Sequence, residues 1–207
     1  MGHLVLVNYH PDSHDLAHEI RKACWKNGAS VTWQEKRNSY TRDAYQLSPK
    51  DSLREASPIA KALSENLDFI ISLESRDWAG WSKGIPTPKI KASSKAAKAI
   101  HEIQDRRGVR WLLFGWPHKI AAKEIGIPQK KFEKIMKECI LTSFKPASDK
   151  RVLRYWRAFR GKGKIRITAD DGTDISFSVK GRRCNKDMGY QRPDDIKAKE
   201  VGMNIPA

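Results

Sequence analysis

Asp68-Phe69-Ile70-Ile71-Ser72-Leu73-Glu74 is a short, almost unbroken apolar run bounded by polar residues. A strand with one wet face alternates apolar and polar side chains, whereas a run without alternation is what a strand covered on both faces requires, as in a parallel sheet. Three more runs read as its partners. Leu4 to Val7 is apolar and passes through Asn8-Tyr9-His10-Pro11-Asp12 into a helix start with Asp12 or Ser13 as cap; Val31 and Trp33 alternate with polar residues over 29–34; Val109 to Phe114 is apolar again. Between the first two, Leu16, Ile20, Ala23 and Cys24 recur at helical spacing up to Asn27-Gly28. Strands alternating with helices predict a mainly parallel sheet with helices on both faces, because right-handed crossovers lay the helices over it.

Outward from that frame, 35–46 is polar and reads as loop, and a helical pattern runs from Ser48-Pro49 towards Leu67 with a break at Pro58. Pro86-Thr87-Pro88 introduces an Ala- and Lys-rich helix to about Asp105, closed by Gly108. Beyond Gly115-Trp116-Pro117, helices are predicted over 118–124, 128–142 and 148–160. The stretches 164–168 and 175–179 then alternate around Ala169-Asp170-Asp171-Gly172-Thr173 as a hairpin. From Lys180 onward periodicity is lost. The expected fold class is therefore α/β: a Rossmann-like, mainly parallel sheet with helices on both faces, followed by a β-hairpin and an irregular C-terminal tail. The expected units are an α/β three-layer domain over 1–162 and a hairpin with linker over 163–207.

Composition bounds the function. The chain of 207 residues is 39% hydrophobic with seven Trp, too apolar and aromatic for a disordered protein. No apolar run approaches the roughly 20 residues of a bilayer span, and no basic leader precedes the first strand, so a cytoplasmic location and no membrane partner are expected. Cys24, Cys139 and Cys184 are widely separated and offer neither a disulfide framework nor a C-x-x-C zinc pair. The net charge of +16 would draw polyanions at low salt, yet no recognition helix or aromatic RNP strand accompanies it, so nucleic acid stands as the weaker partner expectation.

Candidate chemistry is sparse. His10, His14 and His18 are spaced by four, and His14 with His18 would share a helix face, but a zinc site needs a third ligand and no H-E-x-x-H follows. The turn after the first strand lacks G-x-G-x-x-G, and no Gly-Lys-Ser/Thr loop occurs, which argues against a nucleotide cofactor. Ser72 and Ser75 lie at a strand end outside any nucleophile elbow. Trp78, Trp81, Trp111, Trp116 and Trp156 could stack bases if exposed, but Trp111 in an apolar strand and Trp156 beside Leu153 and Phe159 read as buried.

Several stretches together resemble the aminopeptidase T family of metallopeptidases: Gly2-His3-Leu4-Val5-Leu6-Val7 with Lys26-Asn27-Gly28-Ala29; Trp116-Pro117 through Ala121-Ala122 to Gly126-Ile127 and Phe132; and Ile165-Arg166-Ile167-Thr168 leading to Gly172-Thr173-Asp174-Ile175, Val179-Lys180-Gly181-Arg182 and Gly202-Met203-Asn204-Ile205-Pro206. His118 departs from the family's Thr, and 190–201 looks inserted. The resemblance implies an enzyme removing N-terminal residues from peptides, with two divalent ions of zinc or cobalt type. It also implies that the first ligand, a Glu, follows the Asn-Ile-Pro segment. On this reading the chain is a truncated N-terminal portion, inactive alone, that holds no catalytic or metal-ligating residue. Its partners are then the peptide substrate, the missing C-terminal catalytic domain and a second copy as homodimer. Gly172, Thr173, Asp174, Arg182 and Asn204 take structural or cleft-shaping roles, Gly172 through a positive φ and Asp174 by capping the turn or reaching the cleft. The alternative is a stand-alone basic α/β module binding nucleic acid or an acidic protein.

Overall fold

The computed structural model describes residues 2–74, 80–186, 188–198 and 200–205. Ser75 and Trp78 therefore lie outside the described residues. Five parallel strands form the main sheet in the order β2-β1-β3-β4-β7: β1 (Leu4–Tyr9), β2 (Ser30–Glu35), β3 (Phe69–Glu74), β4 (Arg110–Gly115) and β7 (Gly202–Ile205). β5 (Lys164–Thr168) and β6 (Asp174–Ser178) pair antiparallel as a separate hairpin.

The sheet is covered on both faces, as the apolar runs require. On one face Val5, Val7, Tyr9 and Leu73 meet Leu16, Ala17, Ile20 and Cys24 of α1 (His14–Lys26). On the other, Leu6 and Ile70 pack with Leu67, Val109 and Leu63, the last carried by α3 (Pro58–Asn66). Burying a side chain such as Leu67 contributes about 1.5–3 kcal/mol. α4 (Thr87–Arg107) begins with Pro88 in its first turn and stops at Gly108, whose φ of 66° puts it in the left-handed region. α5 (Lys119–Ile125), α6 (Gln129–Ser143) and α7 (Pro146–Phe159) follow β4 close to their expected positions.

The structure departs from the expectations in four places. The stretch expected as loop over 35–46 contains α2 (Asn38–Leu47). It is tied down by contacts far along the chain: Lys89 Nζ donates to the carbonyls of Tyr45 and Gln46 at 2.8 and 3.0 Å, and α2's own Arg42 donates to those of Trp81 and Lys83 at 2.7 Å each. Between Ser48 and Pro58 there is only a short 3-10 turn, Asp51–Leu53, instead of a continuing helix. Trp111, expected to be buried, is 38% exposed; its strand neighbour is Gly202, at the start of the four-residue strand β7, which has no side chain to cover the ring. The tail is not uniformly irregular: α8 (Pro193–Lys197) leads to β7, whose Met203, Asn204 and Ile205 align with Leu112, Leu113 and Phe114. Part of 163–207 is thus built into the sheet of the preceding unit. Gly202 makes the pairing feasible, since a Cβ there would come within 2.2 Å of the Trp111 ring.

Candidate functional site

In a sheet ordered 2-1-3-4, the chain reverses its direction of travel between β1 and β3, and the crevice beyond the strands' carboxyl ends at such a point is where open α/β sheets bind ligands. Asn8 and Ser72 face each other there, with Asn8 Nδ2 donating to Ser72 Oγ at 3.2 Å. Asn8 is buried, and its Oδ1 has no partner among the described residues. Two residues on, at the end of the same strand, stands His10.

His10 is joined by a residue over a hundred positions away. The loop after β4 brings His118 to it, the two rings meeting edge to face with centroids 4.9 Å apart. Both imidazoles are buried and both cap a helical turn. The backbone N–H of Asp12 donates to His10 Nδ1 at 3.2 Å, and that of Ile120 donates to His118 Nδ1 at 3.1 Å. A ring nitrogen that accepts an N–H carries its lone pair there, so the hydrogen-bond network assigns both neutral rings the Nε2–H tautomer. His118 Nε2 accordingly donates to Asp12 Oδ2 at 2.9 Å, and Trp116 Nε1 donates to the Asp12 carbonyl at 3.2 Å. Because β3 separates β1 from β4, these bonds stitch two loops together across the end of β3. Ser13, one of the two expected caps, is the residue that precedes α1, but its Oγ bonds back to the His10 backbone instead of to the helix, while His10 caps the 3-10 turn Pro11–Ser13 that leads in.

His10, Asp12 and His118 are the group of metal-capable side chains that the described residues bring together, with ligand atoms within 4.8 Å of one another. A pair of divalent ions does not fit it. Two-metal hydrolytic sites need several carboxylates and free imidazole lone pairs. Here there is one carboxylate, already engaged, and both Nδ1 lone pairs are held by backbone N–H groups.

His14 and His18 do not assemble with His10: both are exposed, His14 beside Asp15 at 3.4 Å and His18 beside Arg21 at 3.5 Å. Cys24, Cys139 and Cys184 are free thiols, and burial pushes the Cys24 thiol up, making it a poor nucleophile.

The five family-motif positions do not converge on this crevice. Gly172 has φ of 89° in the hairpin turn, while the backbone N–H and Oγ1 of Thr173 both donate to Asp171 Oδ1 at 2.9 and 2.6 Å. Asp171, not Asp174, therefore caps that turn. Asp174 instead accepts a fork of two 2.7 Å bonds from Arg166, which holds its carboxyl below the usual range. Arg182 lies exposed beyond β6, and Asn204 lies in β7 beside Leu113. Sequence reading missed the pairing of His10 with His118. The signal was present in the flanks, since His10-Pro11 and Pro117-His118 each stand where a parallel strand ends.

Residues 1–183 match the family model described as thermophilic metalloprotease, M29. The chain belongs to that family. Among solved structures it is similar to wild-type AmpT from Thermus thermophilus, with a TM-score of 0.61 at 16% identity, over 90% of this chain and 54% of that one. At that identity the likeness is one of fold, and the M29 chain described here spans about half the length of its structural relative. No curated protein matches it significantly. Among the described residues, no helix is long and apolar enough to cross a membrane.

Proposed function

We propose that this chain is the N-terminal portion of a metal-dependent aminopeptidase that removes N-terminal residues from peptides in the cytoplasm, and that it borders the catalytic cleft without holding the ions. Membership of 1–183 in the M29 family carries this reading. The site geometry supports the division of labour. The group closest to a metal centre is spent on hydrogen bonds that fasten the β1 and β4 loops, which suits a rigid cleft wall better than an ion cage. β7 runs parallel to β4 and ends at Ile205 beside Phe114, so the Asn204-Ile205 segment runs to the same carboxyl end of the sheet as His10 and His118. In the proposed enzyme the two zinc- or cobalt-type ions are held by residues outside those described. Bound there, such ions would supply a polarised water and Lewis acidity towards the peptide carbonyl.

The test is to incubate the purified chain with zinc or cobalt, measure bound metal by mass spectrometry, and assay an aminoacyl-coumarin reporter. Neither stoichiometric uptake of two ions nor turnover is expected. Turnover that disappears in His118→Ala would instead place the catalytic centre at the His10–Asp12–His118 group and overturn the proposal.

A further inference from the structure

A second concavity, which shares no lining residue with that crevice, lies between α4 and the residues around the 3-10 turn Asp51–Leu53. Lys91 and Lys95 stand four apart on the helix, and Lys50 and Arg54 stand four apart where they flank the 3-10 turn Asp51–Leu53. The two pairs line one cavity of about 500 Å³, floored by Pro88 and Ala92. The other cations nearby have structural employment. Lys89 holds the end of α2, Arg42 holds the segment before α4, and Lys98 pairs with Glu102 at 3.7 Å. Among the described residues Lys50, Lys91 and Lys95 meet no acid, and Arg54 meets only the exposed Asp51 at 3.5 Å. The first turn of α4 carries no acidic side chain either. Cations gathered around one space repel one another, and Lys91 and Lys95, one turn apart on α4, are a like-charge pair that disfavours the helix.

We propose that this cleft binds a polyphosphate chain, inorganic or carried by a nucleoside. Four cations converging on a single concavity match a short, densely charged anion. Lysine binds phosphate as a point charge and arginine as a fork. The volume falls within the roughly 300–1,000 Å³ of small-ligand sites, and walls on two sides suit a compact ligand better than an extended strand. Pro88, Ala92 and the lysine stems offer an apolar floor on which a base or ribose can rest.

Calorimetric titration with sodium tripolyphosphate, adenosine triphosphate and a single-stranded oligonucleotide, at fixed low salt, tests this. Saturable binding of one tripolyphosphate or nucleotide per chain is expected. It should weaken at least tenfold in both Lys91→Ala/Lys95→Ala and Lys50→Ala/Arg54→Ala. A control that removes the same charge from α6, Lys130→Ala/Lys134→Ala, should change it less than twofold; all these residues are exposed, and unchanged circular dichroism would confirm folding. Tighter binding of the nucleoside form would assign the floor to the base, and equal binding would assign the cleft to the phosphate chain alone. Equal losses in the control, no saturable binding below about 1 mM, or cavity-dependent binding tighter for the oligonucleotide would each overturn the proposal.

Discussion

The main sheet and the β5–β6 hairpin are written in similar residues and end in opposite conditions. In β1 every residue from Val5 to Tyr9 is buried, because α1 covers one face of the sheet and α3 the other. In the hairpin, Ile167 faces Ile175 across the strands and Ile165 faces Phe177, yet Ile167, Ile175 and Phe177 are 49%, 54% and 42% exposed. Cross-strand apolar pairs contribute only fractions of a kcal/mol each, and a two-stranded ribbon is marginal alone. Apolar alternation therefore makes a strand, but a covering layer makes a core.

The largest effect that would sharpen this contrast is Leu67→Ala, at a side chain 1% exposed. A loss of about 2–5 kcal/mol, read from the midpoint of urea unfolding, is expected; a loss near zero would mean the layer under α3 is not a packed core. Gly202→Ala comes next. Its methyl would meet the Trp111 ring, so a cost of about 1–3 kcal/mol is expected. Hydrogen exchange should show the loss of protection concentrated on Trp111 to Phe114 and Met203 to Ile205, while the other side of the sheet keeps its protection.

The third test uses acid. Burial alone would push the Asp195 carboxyl up. The backbone N–H of Arg192 at 2.9 Å, the Lys186 ammonium at 3.2 Å and the Arg192 guanidinium outweigh it and hold the carboxyl below the usual carboxylate range. A depressed folded-state value contributes stability above the ordinary carboxylate pKa, about 3.9, and loses it as pH falls through the folded value. Exchange protection across α8 and β7 should therefore fall below about pH 4, and Asp195→Asn should flatten that dependence. The smallest effects belong to the hairpin. Ile175→Ala is expected to stay within about 0.5 kcal/mol of the parent chain. Asp174→Ala, which removes an exposed ion pair, should leave the unfolding midpoint unchanged within error, particularly at high salt.

Parts of the candidate site were legible and parts were not. Gly172 in the hairpin turn and Gly108 at the end of α4 were readable because a positive φ at a turn is a local demand that glycine meets. His10 was visible as a polar residue at a strand end. Its partnership with His118, and the stitch through Asp12 and Trp116, were not, since the partners are separated by more than a hundred residues. The basic cleft was hidden for the same reason: its lysines read as ordinary solvated helix faces until the fold sets Lys50 and Arg54 opposite them.

The sequence by itself determined four parallel strands, the ends of α1 and α4 and the hairpin, because periodicity, caps and turn residues act within a few positions of one another. Tertiary structure alone decided that α2 is a helix, held by Lys89 across the chain; that Gly202–Ile205 is a fifth strand, admitted beside Trp111 by a missing Cβ; and that His10, Asp12 and His118 meet. Each depends on a contact whose other half lies far along the chain, where no local pattern can announce it.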